Sequence, residues 1–299
     1  MDLEQLRREQ GGVVSFQQAR AAGVPRSRLR ADHVRIASGV YVPRHVHEAQ
    51  GEAERTAALV CAARLTSEVD LVAVGRTAAA VHGLPVLGRP PGCPQLVERK
   101  HLRPRHHGAS RIVDEDDVVV VHGAPVTTLA RTAVDVARTR DLARGVVTAD
   151  GALARGVERD ELERVLAGCG RWPGVTAART AVAFADGRAE SALESLSRVR
   201  FHEHGLPAPE LQVVLFDEDG AIGRVDHYWA AVRVVGEADG ALKYARQEDL
   251  FAEKRREDRL REAGYEVVRY TWDEALRCPE LLKSRLLRAF QRAARRPAA

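Results

Sequence analysis

Between residues 222 and 243 two apolar runs of strand length each close on carboxylates. Ile222-Gly-Arg-Val-Asp226 leads into His-Tyr-Trp, and Val232-Arg-Val-Val-Gly-Glu237-Ala-Asp239-Gly comes directly after, with Lys243 four residues beyond Asp239. Runs this short and this close pair as neighbours in one sheet. Side chains alternate along a strand, so Ile222, Arg224 and Asp226 are expected on one face, and Val235, Glu237 and Asp239 on one face of the adjoining strand. Carboxylates gathered at one end of a sheet repel one another unless a cation joins them. Hard oxygen ligands of this kind suit Mg²⁺. Beside a lysine they form the apparatus of metal-assisted phosphodiester hydrolysis.

A chain of 299 residues, 45% of them hydrophobic, has room for more than one core. No apolar run approaches the length of a membrane helix, and the opening Met-Asp-Leu-Glu-Gln-Leu-Arg-Arg lacks the apolar stretch of a signal peptide. Cys61, Cys93, Cys169 and Cys278 are scattered without a C-x-x-C pair, which fits reduced thiols in the cytoplasm. The net charge of +4 is compatible with a nucleic-acid partner and demands none. Only Lys100, Lys243, Lys254 and Lys283 among the 46 basic residues are lysines. In so arginine-rich a chain a retained lysine draws notice, because its compact ammonium can shift its pKa and a guanidinium cannot.

Near the N-terminus, Leu3 to Gln10 reads as a helix stopped by Gly11-Gly12. Ser15-Phe-Gln-Gln18 has capping-box spacing and opens a second helix through Ala22. Gly23 turns the chain, and Pro25 begins a third helix to about Asp32. Val34 to Pro43 then form a hairpin about Ser38-Gly39. Helix, glycine turn, helix and hairpin make a winged helix-turn-helix over residues 1–45. In a DNA-reading role its Arg26, Arg28, Arg30 and Arg35, with Arg44, contact phosphates or guanine edges. A protein-binding role suits the same shape.

Residues 46–185 read as a helix-rich α+β middle region and linker, with short strands at 71–74, 96–97 and 118–121 and a helix from Val126. Gly168 to Gly174 has the composition of a boundary. The basic run Glu98 to His107 reads as a loop, and its histidines lack partners at zinc-ligand spacing.

From 186 to 299 the expected order is α-β-β-β-α-β. A helix covers Glu190 to His204, and strands cover Leu211 to Phe216, Ile222 to Tyr228 and Val232 to Glu237. Next come a charged helix over Asp249 to Ala263, a strand over Glu266 to Tyr270 and a basic helix over Leu276 to Ala294. Glu190 and Glu194 fall on one side of the first helix, with Glu194 placed to point back at an ion.

Two resemblances emerge. Gly12-Val-Val-Ser15, the Ala19-x-x-x-Gly23 turn, Leu29 and Ser38-Gly39-Val-Tyr-Val resemble the winged helix of AbiEi-type antitoxins of abortive-infection systems. Ala78 to Pro85 and Thr127 to Asp135 are similar to that family's second region. Glu190-Ser-x-x-Glu194, Arg224-Val-Asp226, Val234-Val-Gly-Glu237-x-Asp239, Phe251-x-Glu-Lys-Arg-Arg256 and Gly264-Tyr-x-Val-Val-Arg269 resemble the PD-(D/E)xK nuclease fold, closest to very-short-patch-repair endonucleases. The resemblances imply a mixed α/β chain with a winged helix, a helix-rich middle and a restriction-endonuclease-like domain. They imply a cytoplasmic DNA endonuclease using Mg²⁺ or Mn²⁺, with DNA and a toxin or defence-system protein as partners and no membrane. Asp226 and Glu237 would be metal ligands, Asp239 a further ligand or a water-positioner, Lys243 would offset charge and Glu194 would act through water or by orientation. Arg255, Arg256 and Arg269 would grip phosphate, or equally well form ion pairs with Glu253 and Asp258. The family's usual lysine two places after the acid is Asp239 here, and His227 stands where Phe is usual. These departures leave open a second reading, an antitoxin-like repressor whose nuclease fold no longer turns over.

Overall fold

The computed structural model describes residues 2–88, 93–99, 113–139, 141–240 and 247–295, and its architecture is mixed α/β. The chain divides into two compact units, Met1–Ala152 with Gly156–Phe184, and Leu153–Arg155 with Ala185–Ala299.

In the first unit, α1 (Leu3–Glu9), β1 (Val14–Ser15), α2 (Phe16–Ala21), α3 (Arg26–Asp32), β2 (His33–Ala37) and β3 (Val40–Pro43) precede α4 (Arg44–Ala49) and α5 (Glu52–Leu65). Ser15 and Gln18 close the expected capping box at the start of α2. The three strands form a small sheet in the order β1-β3-β2. Its apolar side is not self-contained. Val13, Val40 and Val42 are fully buried in one cluster with Ala57, Val60 and Cys61 of α5 and with Ala124 and Val126. The N-terminal segment therefore shares a core with α5 and with residues 124–126, and residue 45 does not separate compact units.

The remainder of this unit contains β4 (Leu71–Ala73), α6 (Gly75–His82), β5 (Leu96–Glu98), β6 (Val118–Val121), β7 (Ala124–Thr127) and α7 (Leu129–Ala137), then α8 (Leu142–Ala154), α9 (Arg159–Gly168) and α10 (Val175–Phe184). The strands make a sheet ordered β5-β4-β7-β6. Val126 and Thr127, expected in a helix, instead end β7. Thr128 caps the helix that begins at Leu129. The glycine-rich stretch 168–174 is a turn inside this unit, and the division falls at 184/185.

The second unit runs α11 (Ala192–Glu203), β8 (Glu210–Asp217), β9 (Gly220–Trp229), β10 (Val234–Asp239), α12 (Gln247–Glu262), β11 (Glu266–Thr271), α13 (Trp272–Arg277) and α14 (Pro279–Ala294). The expected terminal helix is two helices. Cys278 sits between them and Pro279 opens the second, where its missing N–H costs nothing. The sheet order is β11-β10-β9-β8, with β8, β9 and β10 antiparallel and β11 parallel to β10. On one side Phe201 of α11 and Phe290 of α14 meet His227, Trp229 and Tyr270 edge to face or stacked. On the other, Leu260 of α12 and Tyr265 pack with Leu215, Ile222 and Val235. Aromatic packing of the first kind adds about 0.5–1.5 kcal/mol per pair beyond area burial. Gly236 lies where a Cβ would come within 3.1 Å of the Trp229 ring, so the aromatic layer needs glycine there.

Candidate functional site

The site forms where β9 and β10 run out of their ladder. Val234, Val235 and Gly236 pair with Trp229, Tyr228 and His227. The next step in that register brings Glu237 beside Asp226. A single turn, Ala230–Val232, and Arg233 in the left-handed conformation (φ 47°) make the reversal. The Asp226 carboxylate accepts the N–H of Ala238 at 2.8 Å.

Three acids gather here. Ser191 caps α11, which leaves Glu190 outside the helix rather than one turn from Glu194 on a shared side. The Glu190 N–H donates to the Glu194 carboxylate at 2.9 Å, while the Glu190 side chain pairs with Arg224 at 2.8 Å. Gln212 of β8 donates its amide to Glu194 at 2.8 Å and reaches Asp226 at 3.5 Å. Glu194 and Glu237 are buried, at 6% and 9% exposure. Burial pushes the Glu194 carboxyl upward, and the Asp226 charge adds to the shift. Burial also raises Asp226, against the Ala238 N–H and the Arg256 charge. Glu237 is pushed up to about 7, first by burial and then by the Asp226 charge. Burial is the first cause at all three, and the Asp226 charge adds repulsion at Glu194 and Glu237.

Cations occupy part of this chemistry. Arg256 of α12 donates to Glu237 at 2.6 Å and to the Arg224 carbonyl at 2.7 Å. Of the two roles open to it, phosphate contact or ion pairing, the second is the one seen here. Arg269 sits between Glu253, Glu257 and Asp239, the last at 3.7 Å. Asp239, expected as a further ligand or water-positioner, faces Arg269 on the neighbouring strand. Of the two roles open to Arg269, phosphate contact or ion pairing, its pair with Glu253 shows the second. Arg255 is exposed on α12. Lys243 lies outside the described residues, as does most of the 98–107 basic run. Among the described residues, no group of three or more His, Cys, Asp or Glu side chains is disposed to hold a metal ion. Asp226 and Glu237 lie side by side as a pair. That suits Mg²⁺, which keeps several waters and commonly takes one or two carboxylates plus substrate phosphates.

His227 is not part of this group. It is fully buried, its Nδ1 is 2.7 Å from the Tyr270 hydroxyl, and burial lowers its pKa to about 3. Gln212 is the residue that sequence patterning missed, since nothing in Leu-Gln-Val-Val-Leu marks its glutamine as more than a surface position of a strand.

In the first unit, Arg26, Arg30, Arg35 and Arg44 line a cavity of about 360 Å³ with His33, Val34 and Tyr41, between α3 and the β2–β3 hairpin. Arg28 does not line it and instead pairs with Asp32 at 3.4 Å. Arg35 also donates to the Ala37 carbonyl, and Arg44 to that of Ala31. The two middle motifs are structural. His82 lies 2.7 Å from the Thr127 carbonyl, and Thr127 and Thr132 share a buried hydroxyl contact. Arg131, 4% exposed, pairs with Asp117 and Asp135 and lies over the Trp172 ring.

No family model matches the chain, and no solved structure matches it. Two curated relatives are similar to it, both uncharacterized proteins of Mycobacterium tuberculosis, from strains CDC 1551 / Oshkosh and ATCC 25618 / H37Rv. Each is 37% identical over 174 residues, 58% of this chain and 64% of the relative. The chain thus spans somewhat under two thirds of the length of the relatives it matches. Among the described residues no helix is long and apolar enough to cross a membrane.

Proposed function

We propose that the chain is a metal-dependent DNA endonuclease, its second unit a PD-(D/E)xK-like hydrolase and its N-terminal segment a winged-helix DNA reader. The observation that carries the proposal is the pair Asp226 and Glu237. They come from adjacent strands, lie close enough for one charge to raise the other's pKa, and have Glu194 held beside them. Isolated acids on a solvated turn would not be buried against their own repulsion. Asp226 and Glu237 would hold Mg²⁺ or Mn²⁺, which when bound polarises a phosphoryl oxygen and lowers the pKa of a coordinated water. Glu194, whose carboxyl burial pushes upward, would act through water or by orientation near the attacked phosphate. The arginine-lined cavity beside α3, which carries no carboxylate in its lining, would seat backbone phosphate.

The second reading is an antitoxin-like repressor, with a toxin or defence-system protein as partner. The Arg256–Glu237 and Arg269–Asp239 pairs favour it, because they neutralise acids that a catalyst would present to metal. One assay separates the two. Supercoiled plasmid is incubated with the purified chain and Mg²⁺ or Mn²⁺, beside Asp226→Ala and Glu237→Ala. Cleavage lost in both variants is the expected result. Metal-independent operator binding with no cutting by the wild type would overturn the hydrolase and leave the repressor.

A further inference from the structure

The left-handed residue in β8 is the least explained feature of the second unit. Gln212 has φ 55° within a strand. Only glycine enters that region without cost, and other residues remain there when the surroundings over-determine them. The register places the anomaly beside Asp226, since Leu211 pairs with His227 and Val213 with Val225. Alternation along β9 would put Val225 and His227 on one side of the sheet. Yet Val225 belongs to the core around Leu260, whereas His227 lies against Phe201. The change of surroundings falls at Asp226, and Gln212 is the residue across from it.

We infer that Gln212 is a positioning residue for the cation site, its amide N–H groups holding the Glu194 and Asp226 carboxylates in one arrangement. The inference rests on the metal-site reading proposed above. An amide between two carboxylates must turn its nitrogen toward both, because only that end donates. A guanidinium or ammonium in the same place would bridge the acids more strongly, but it would cancel the negative field that attracts a divalent ion. A neutral donor overcomes the repulsion and leaves the field in place. The backbone strain at 212 lies at the residue whose side chain makes this bridge, which is where strain with a purpose is expected.

Glycine offers a decisive test, since it suits φ 55° better than glutamine does and removes the amide. Mn²⁺ binding to the full chain is monitored by loss of the free-ion paramagnetic resonance signal, with thermal unfolding recorded on the same samples. The expected result for Gln212→Gly is an unfolding midpoint equal to or above wild type and a Mn²⁺ Kd weakened about tenfold, the usual scale for removing a group that orients a metal ligand. Gln212→Leu, which keeps the bulk without the donor, is expected to show the same weakening. Should the wild type bind Mn²⁺ and both variants match it within twofold, Gln212 has no such role and the metal site stands. Should the wild type bind no Mn²⁺, the metal site itself fails, and this inference with it.

Discussion

Each unit contains a group of charged side chains removed from water, and the two are built on opposite principles. Around Arg131, two aspartates meet two arginines. Asp117 and Asp135 face Arg131, Asp135 also takes Arg138, and both guanidinium groups lie over Trp172 at under 5 Å. Around Asp226, three carboxylates share Arg256 and the uncharged amide of Gln212. The balanced group is a fastening. The unbalanced one holds repulsion that the rest of the fold must oppose, and such imbalance is commonest where a site awaits a ligand.

The largest expected effect comes from breaking the fastening. Arg131→Met leaves Asp117 without its guanidinium and Asp135 with Arg138 alone, a change worth up to about 3–5 kcal/mol. Chemical denaturation of the full chain should show that loss, with Mn²⁺ affinity untouched because Asp117, Asp135 and Trp172, which Arg131 meets, lie in the first unit. A loss under about 1 kcal/mol would mean that Arg131 is no more than a surface ion pair, and the contrast between the two groups would dissolve.

Next in size is the pH dependence of the unbalanced group. Glu237 in the folded chain holds its proton up to about pH 7, whereas an unfolded glutamate releases it near pH 4.3. The native state therefore binds more protons between those values. Stability from this group is complete below about pH 4 and is lost as pH rises through 7, by on the order of 3 kcal/mol. Glu237→Gln should be more stable than wild type at pH 8 and gain little at pH 4. Mn²⁺ at pH 8 should restore stability to the wild type and not to the variant. Equal pH slopes for the two proteins would show that Glu237 is not held against repulsion.

Much of the second unit was legible because its signals are local. The α-β-β-β-α-β order comes from strand-length apolar runs bounded by Gly205, Gly220 and Gly264, and the meeting of Asp226 with Glu237 comes from two runs too close in sequence to be anything but neighbours. The illegible features depend on partners distant in the chain. Asp239 alternates with Glu237 as expected, but its pairing with Arg269 of β11, across the ladder, could not be seen from spacing. Strand β7 was hidden because Val126 and Thr127 continue without a breaker into an apolar helix, and only pairing with β6 and β4 makes them a strand. The break at Pro279 carried its own signal, a proline inside a helical pattern. Gln212 carried none, since a left-handed strand residue cannot be read from composition when it is not glycine.

The smallest effect tests whether Arg256 belongs with the site or merely quiets it. Gly223 has φ 151°, and a Cβ there would stand 2.8 Å from the Arg256 Nε. Gly223→Ala should therefore shift the guanidinium from Glu237 at a cost of about 1–2 kcal/mol, and Arg256→Met should remove it outright. If the guanidinium competes with the cation for Glu237, both changes tighten Mn²⁺ binding at pH 8.5 about threefold, which is near 0.7 kcal/mol. The high pH keeps Glu237 ionised after it loses its partner, so the comparison reads competition rather than protonation. DNA cleavage should still fall in Arg256→Met if the same side chain, once released from Glu237, meets a phosphate. Tighter metal binding with undiminished cleavage would make Arg256 a pure competitor, and weaker metal binding would make it a support for Glu237, placing the second group closer in kind to the first.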